Sequence, residues 1–96
     1  MQEFDDEFYE RADEHIHLSN DQISEKATRG KDSASNMYAT ARFNAWVRAC
    51  GWSNGQEMAA SKQATLEYFV AEYRKMLEVN LDNYSENFDS YMRPNK

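Results

Sequence analysis

Along the last forty residues the apolar positions recur at steps of three and four: Leu66, Phe69, Val70, Tyr73, Leu77, Leu81, Tyr84, Phe88, Tyr91 and Met92. On a 3.6-residue period they fall within roughly 160° of one another and form one continuous stripe. Glu67, Glu72, Arg74, Lys75, Glu78, Asp82 and Glu86 lie mostly on the opposite side. The pattern predicts an amphipathic helix over residues 55–92, roughly 55 Å long if unbroken. Ser53 with Gln56, or Asn54 with Glu57, has the spacing of a capping box at its start. Asn80, Asp82 and Asn83 are poor helix formers within one turn. The apolar phase is unchanged across them, which favours passage over a kink near Asn80 followed by a short fourth helix.

Two earlier segments carry the same period. Phe4, Phe8, Ala12, Ile16, Ile23 and Ala27 share a face, extended by Tyr9, with His15 and Ser19 inside it and Leu18 off it; they predict a first helix over residues 5–28. Asp5, Asp6 and Glu7 suit its first turn, where acids complement the helix dipole. Gly30 can take the left-handed conformation after a C-terminus, and Asp32 or Ser33 can cap the next helix, predicted over residues 33–50. That second helix is apolar nearly all round, apart from a polar line at Asn36, Thr40, Asn44 and Arg48, which reads as its solvent edge, and Arg42 on the far arc. A helix of this kind is contacted on more than one side, and the short connection makes the first two helices antiparallel neighbours.

These elements predict an all-α fold: a three-helix antiparallel bundle with a long C-terminal helix, no β-sheet, and a single domain over residues 1–96. The second helix covers the third only to about residue 75. Leu77, Leu81, Tyr84, Phe88, Tyr91 and Met92 then form an apolar patch larger than a soluble monomer usually exposes, and a homo-oligomer, a dimer or a tetramer, is the economical way to cover it. A fold-back at Asn80 within one chain is the competing arrangement.

Composition agrees with that picture. Three Gly and one Pro, Pro94, leave little punctuation for a many-stranded fold. A chain of 96 residues builds only a modest core. Thirteen aromatic residues, six of them Tyr, suit surfaces that are half buried and half wet.

Charge is unevenly placed within the net −6. Residues 1–27 carry nine acids against Arg11 and Lys26, residues 28–51 four bases against Asp32, and residues 52–96 seven acids against five bases. The first helix is therefore acidic and the second basic, which favours their contact, and no clustered basic patch exists for nucleic acid. The acidic N-terminus lacks the pattern of a signal peptide, and no apolar run approaches a membrane span, so a cytoplasmic protein is expected. Cys50 excludes an intrachain disulfide and fits as a small hydrophobe.

Candidate chemistry is sparse. His15 and His17 point about 200° apart on a helix and cannot share an ion within one chain. Glu14 and His17 have the Glu-x-x-His spacing that di-iron bundles use, a metal-binding alternative, but the outward acidic face they occupy reads as solvated. His15, at the core edge, reads as a packing histidine. Arg42, flanked in projection by Tyr38, Ala45, Trp46 and Ala49, needs a partner if buried; a structural ion pair is the plain reading, and a ligand-sensing pocket of Arg42, Trp46 and Trp52 the other. No phosphate loop, nucleophile elbow or cysteine pair occurs, so no cofactor is implied and an enzyme has no positive support.

The segments Phe8-Tyr9-Glu10-Arg11-Ala12-Asp13, Ile16-His17-Leu18-Ser19-Asn20, Arg29-Gly30-Lys31, Tyr38-Ala39-Thr40-Ala41-Arg42-Phe43-Asn44-Ala45, Tyr68-Phe69-Val70, Tyr73-Arg74-Lys75-Met76-Leu77 and Asn87-Phe88-Asp89 resemble the bacterial family of short proteins grouped as domain of unknown function 3144. The resemblance covers most of the chain. It implies a small bacterial helical protein and brings no catalytic residues with it. The function expected is that of a non-enzymatic, homo-oligomeric helical module that binds a protein partner or a small ligand.

Overall fold

The computed structural model describes residues 5–93; residues 1–4 and 94–96, among them Phe4 and Pro94, lie outside the described part. Five helices and no strand occur among the described residues. They belong to two compact units, Met1–Gly51 and Trp52–Lys96.

The first unit is a helical hairpin. Helix α1 spans Asp6–Gln22 and is capped by Asp5, whose Oδ1 accepts the Phe8 N–H at 2.8 Å. It ends six residues before the expected Thr28. The cause is Ser24: its hydroxyl accepts the N–H groups of Lys26 and Ala27 at 3.2 and 3.1 Å, and its own N–H donates to the Ala27 carbonyl at 2.9 Å. A serine that offers the backbone a local alternative competes with helix propagation.

Helix α2 spans Arg29–Ala49, four residues ahead of expectation, because Thr28 supplies the N-cap and its Oγ1 accepts the Lys31 N–H at 3.4 Å. Gly30 lies inside the first turn without a positive φ, not in a left-handed cap, and Asp32 and Ser33 are helical. The loop that remains is Ile23 to Thr28, short enough to keep α1 and α2 adjacent.

Their seam follows the sequence reading on the α1 side at Phe8, Ala12, Ser19 and Ala27, whereas Ile16 and Ile23 are exposed, and departs from it on the α2 side. Phe8, Ala12, Ser19 and Ala27 are the half-buried positions from α1 and the loop; from α2 come Asn44 and Arg48, also half-buried, with Asp32 buried. Across the seam the Asn36 amide donates to Ser19 Oγ at 2.6 Å, and within α2 the Thr40 hydroxyl donates to Asn36 Oδ1 at 3.4 Å. The line Asn36, Thr40, Asn44 and Arg48 is thus turned toward α1 rather than to water. Hydrogen-bonding capacity decides this: α1 presents Ser19 and two small residues, and a polar line finds partners there.

The second unit begins with α3, Gly55–Ala60, capped by Asn54, whose Oδ1 accepts the Glu57 N–H at 2.8 Å. At Ser61 the backbone leaves the helical region, and both its N–H and its hydroxyl donate to the Met58 carbonyl, at 3.1 and 2.8 Å. Helix α4, Lys62–Glu86, then runs unbroken through Asn80 to Asn83. Asn80 folds its amide back onto the Met76 carbonyl at 2.8 Å, so it satisfies itself along the helix instead of breaking it. The interruption comes at Asn87, whose backbone and side-chain N–H groups both donate to the Asn83 carbonyl, at 3.1 and 2.9 Å. Helix α5, Phe88–Met92, follows. The single helix expected over residues 55–92 is therefore three segments. Met58 of α3, Ser61 between the helices, and Thr65, Phe69 and Glu72 of α4 are half-buried.

Two substitutions probe these helix starts. Nothing lies within 4 Å of a Cβ built on Gly30, so Gly30→Ala should raise the unfolding free energy by about 0.5–1 kcal/mol, read from urea denaturation followed by circular dichroism. Asn54→Ala removes the α3 cap and should lower it by about 1 kcal/mol in the same assay.

Candidate functional site

Among the described residues no hydrophobic side chain is buried, and 22 large apolar side chains are exposed. The surface, rather than a cleft, carries the distinctive chemistry. On α4 and α5 the exposed set includes Leu66, Val70, Tyr73, Leu77, Leu81, Tyr84, Phe88, Tyr91 and Met92, with Leu77 at 42% and Leu81 at 59%. The turn at Asn87 does not scatter the aromatic end of this stripe. Tyr84 and Tyr91 meet edge to face with ring centres 5.1 Å apart, and the Arg93 guanidinium lies 5.9 Å from the centre of the Phe88 ring. Charged residues flank the stripe as ion pairs, the exposed Arg74 with Glu78 at 3.4 Å and the exposed Lys75 with the half-buried Glu72 at 3.0 Å. Such pairs contribute little to stability and keep the flanks hydrated.

Helix α2 presents the other apolar surface. Tyr38, Phe43 and Trp46 are exposed, and the Phe43 and Trp46 rings lie 5.7 Å apart at 36°. Arg42 is exposed on the same arc, so it has no burial to compensate, and no ion pair to it occurs among the described residues. Trp46 is engaged with Phe43. Trp52 is exposed and belongs to the second unit.

Glu14 and His17 are both exposed on α1, and among the described residues no group of three or more His, Cys, Asp or Glu is placed to hold a metal ion. His15 is exposed as well, so the packing role expected at a core edge does not apply to it. Cys50 is a free, exposed thiol at the C-cap of α2. No helix among the described residues is long and apolar enough to cross a membrane.

One residue the sequence reading passed over is Asp32. It is the most enclosed residue described, 6% exposed, and its Oδ1 has no hydrogen-bond partner. The signal for it was present: Asp32 extends the four-residue step of Asn36, Thr40, Asn44 and Arg48 one turn toward the N-terminus.

The architecture has a solved counterpart. An NMR structure of the protein NB7890A from Shewanella sp superimposes with a TM-score of 0.75 at 38% sequence identity, over 99% of this chain and 100% of that chain. No curated protein matches. The family model described as "Protein of unknown function (DUF3144)" matches residues 8–85, from the first turn of α1 almost to the end of α4, and the chain belongs to that family.

Proposed function

We propose that the protein is a non-enzymatic helical interaction module whose working form is a homo-oligomer. The observation that carries this reading is the exposure of every large apolar side chain on the stripe from Leu66 to Met92 apart from the half-buried Phe69. A contiguous face of that extent marks an association site in a soluble protein.

In the proposed assembly the two units of each chain pack as one domain, a three-helix antiparallel bundle. Helices of 17, 21 and 25 residues for α1, α2 and α4 are about 25, 31 and 37 Å long, so α2 is too short to cover the C-terminal helices beyond about residue 75. Leu77, Leu81, Tyr84, Phe88, Tyr91 and Met92 are left for a second copy, and Tyr and Phe at such a seam have the amphipathic character of interface residues. The module is proposed to act in the bacterial cytoplasm, with its remaining surface free for a protein partner.

Sedimentation or light-scattering mass tests the reading. The wild-type chain should have the mass of two or more chains, and Phe88→Asp should lower that mass while the helical circular dichroism is kept. A wild-type mass of one chain ends the proposal. In the oligomer the melting temperature should also rise with protein concentration, since association stabilises only the folded form.

A further inference from the structure

Among the asparagines of the chain only Asn54 precedes a glycine, and the structure sets its side chain up for attack by the next residue. Asn54 and Gly55 are both exposed. Gly55 opens α3, so its N–H has no carbonyl one turn back to bond to. Nothing lies within 4 Å of a Cβ built on Gly55, so its nitrogen is unhindered. Asn54 Oδ1 accepts the Glu57 N–H at 2.8 Å, a donor that draws electrons from Cγ and stabilises the negative charge that collects on Oδ1 when a nucleophile adds. We propose that Asn54 is a site of intramolecular deamidation, at which the chain converts the neutral cap of α3 into a carboxylate. The modification does not depend on the homo-oligomer.

The reaction balances with water alone. Hydroxide takes the Gly55 amide proton, the nitrogen bonds to Asn54 Cγ, the Cγ–Nδ2 bond breaks, and ammonia leaves with a proton from water, closing a five-membered cyclic imide. Water then adds to one of the two imide carbonyls. Cleavage of the bond from nitrogen to Cγ leaves aspartate at position 54; cleavage of the bond to the main-chain carbonyl leaves iso-aspartate, with the chain running through Cβ and Cγ. Nothing is oxidised or reduced. Either product takes the net charge from −6 to −7. Aspartate keeps the α3 cap, since Asp and Asn cap about equally well. Iso-aspartate adds a carbon to the main chain and withdraws the carboxylate from the Glu57 N–H.

The other described asparagines lack this combination. The side-chain nitrogens of Asn36, Asn80 and Asn87 are held by Ser19 Oγ and by the carbonyls of Met76 and Asn83. Asn20, Asn44 and Asn83 precede Asp21, Ala45 and Tyr84, whose nitrogens lie inside α1, α2 and α4, bonded one turn back and crowded by their own side chains. Attack at Asn54 needs rotation about its Cα–C bond from ψ 167°. Helix α3 is six residues long and opposes that rotation less than a long helix would.

Peptide mass spectrometry tests this on the full chain, kept folded in mildly alkaline buffer, sampled over days and cleaved with trypsin. Residues 49–62 are released as one peptide in which Asn54 is the sole asparagine. That peptide should gain the mass of an amide-to-acid exchange, placed by fragmentation at Asn54 rather than Gln56, and resolve into two products of equal mass. It should do so ahead of every peptide that holds Asn20, Asn36, Asn44, Asn80, Asn83 or Asn87. Gly55→Ala should slow the change on the order of tenfold, because a Cβ crowds the attacking nitrogen and narrows the range of the backbone. An unchanged rate in that variant means direct hydrolysis of the side chain and overturns the cyclic route. A parallel sample unfolded in urea reports on the fold: if it deamidates at Asn54 while the folded protein stays unmodified, the structure blocks the site and the proposal fails. Mass gained first at another asparagine, or at none, also ends it.

Discussion

The hydrogen bond between Asn36 and Ser19 sets the character of the first half of the molecule. Once that pair is made, the polar line of α2 is committed to α1, and the apolar arc of the same helix has nowhere to point but outward. In most helical hairpins apolar burial holds the seam and polar groups take the water. Here an amide–hydroxyl hydrogen bond crosses the seam beside the half-buried Phe8 and Ala12, and Tyr38, Phe43 and Trp46 of α2 stay exposed. The surface chemistry of α2 is a consequence of that one choice of face.

The second half reaches a similar outcome by another route. The α4 stripe is continuous because Asn80 bonds back to its own helix, and it bends only where Asn87 saturates the Asn83 carbonyl with two donors. Between those points the helix keeps its phase, so its apolar residues form a band. The half-buried positions of α4, Thr65, Phe69 and Glu72, meet that band only at Phe69 and leave the rest of it exposed. Both units leave their large apolar side chains exposed.

Helix type and most of the helix content were legible from periodicity alone, because a 3.6-residue pattern sustained over five turns has no strand-like alternative. The ends were less legible. Ser24 and Thr28 each outcompeted a plausible signal: Ser24 stopped α1 before Ala27, and Thr28 capped α2 ahead of Gly30. Ser61 was invisible because one serine with two donors on one carbonyl breaks a helix only when the backbone takes that turn. The α2 polar line was misread for a physical reason. A polar line next to a nearly all-apolar surface looks like a solvent edge unless the facing helix is known to offer Ser19. The phase of the stripe on the C-terminal helices was legible because it depends on nothing outside the segment; its cover was not, and Leu66, Val70 and Tyr73, expected to lie under the second helix, are exposed.

The seam of the hairpin bears on its motions. Among the described residues it buries no hydrophobic side chain, and it holds a buried carboxylate, Asp32, whose Oδ1 has no hydrogen-bond partner there. A buried acceptor without a partner costs of the order of 1–3 kcal/mol. Separating α1 from α2 therefore forfeits little apolar burial and lets Asp32 recover its hydration. Local opening should be easiest there, so the amides of α1 exchange with solvent ahead of those in the long helix of the other unit.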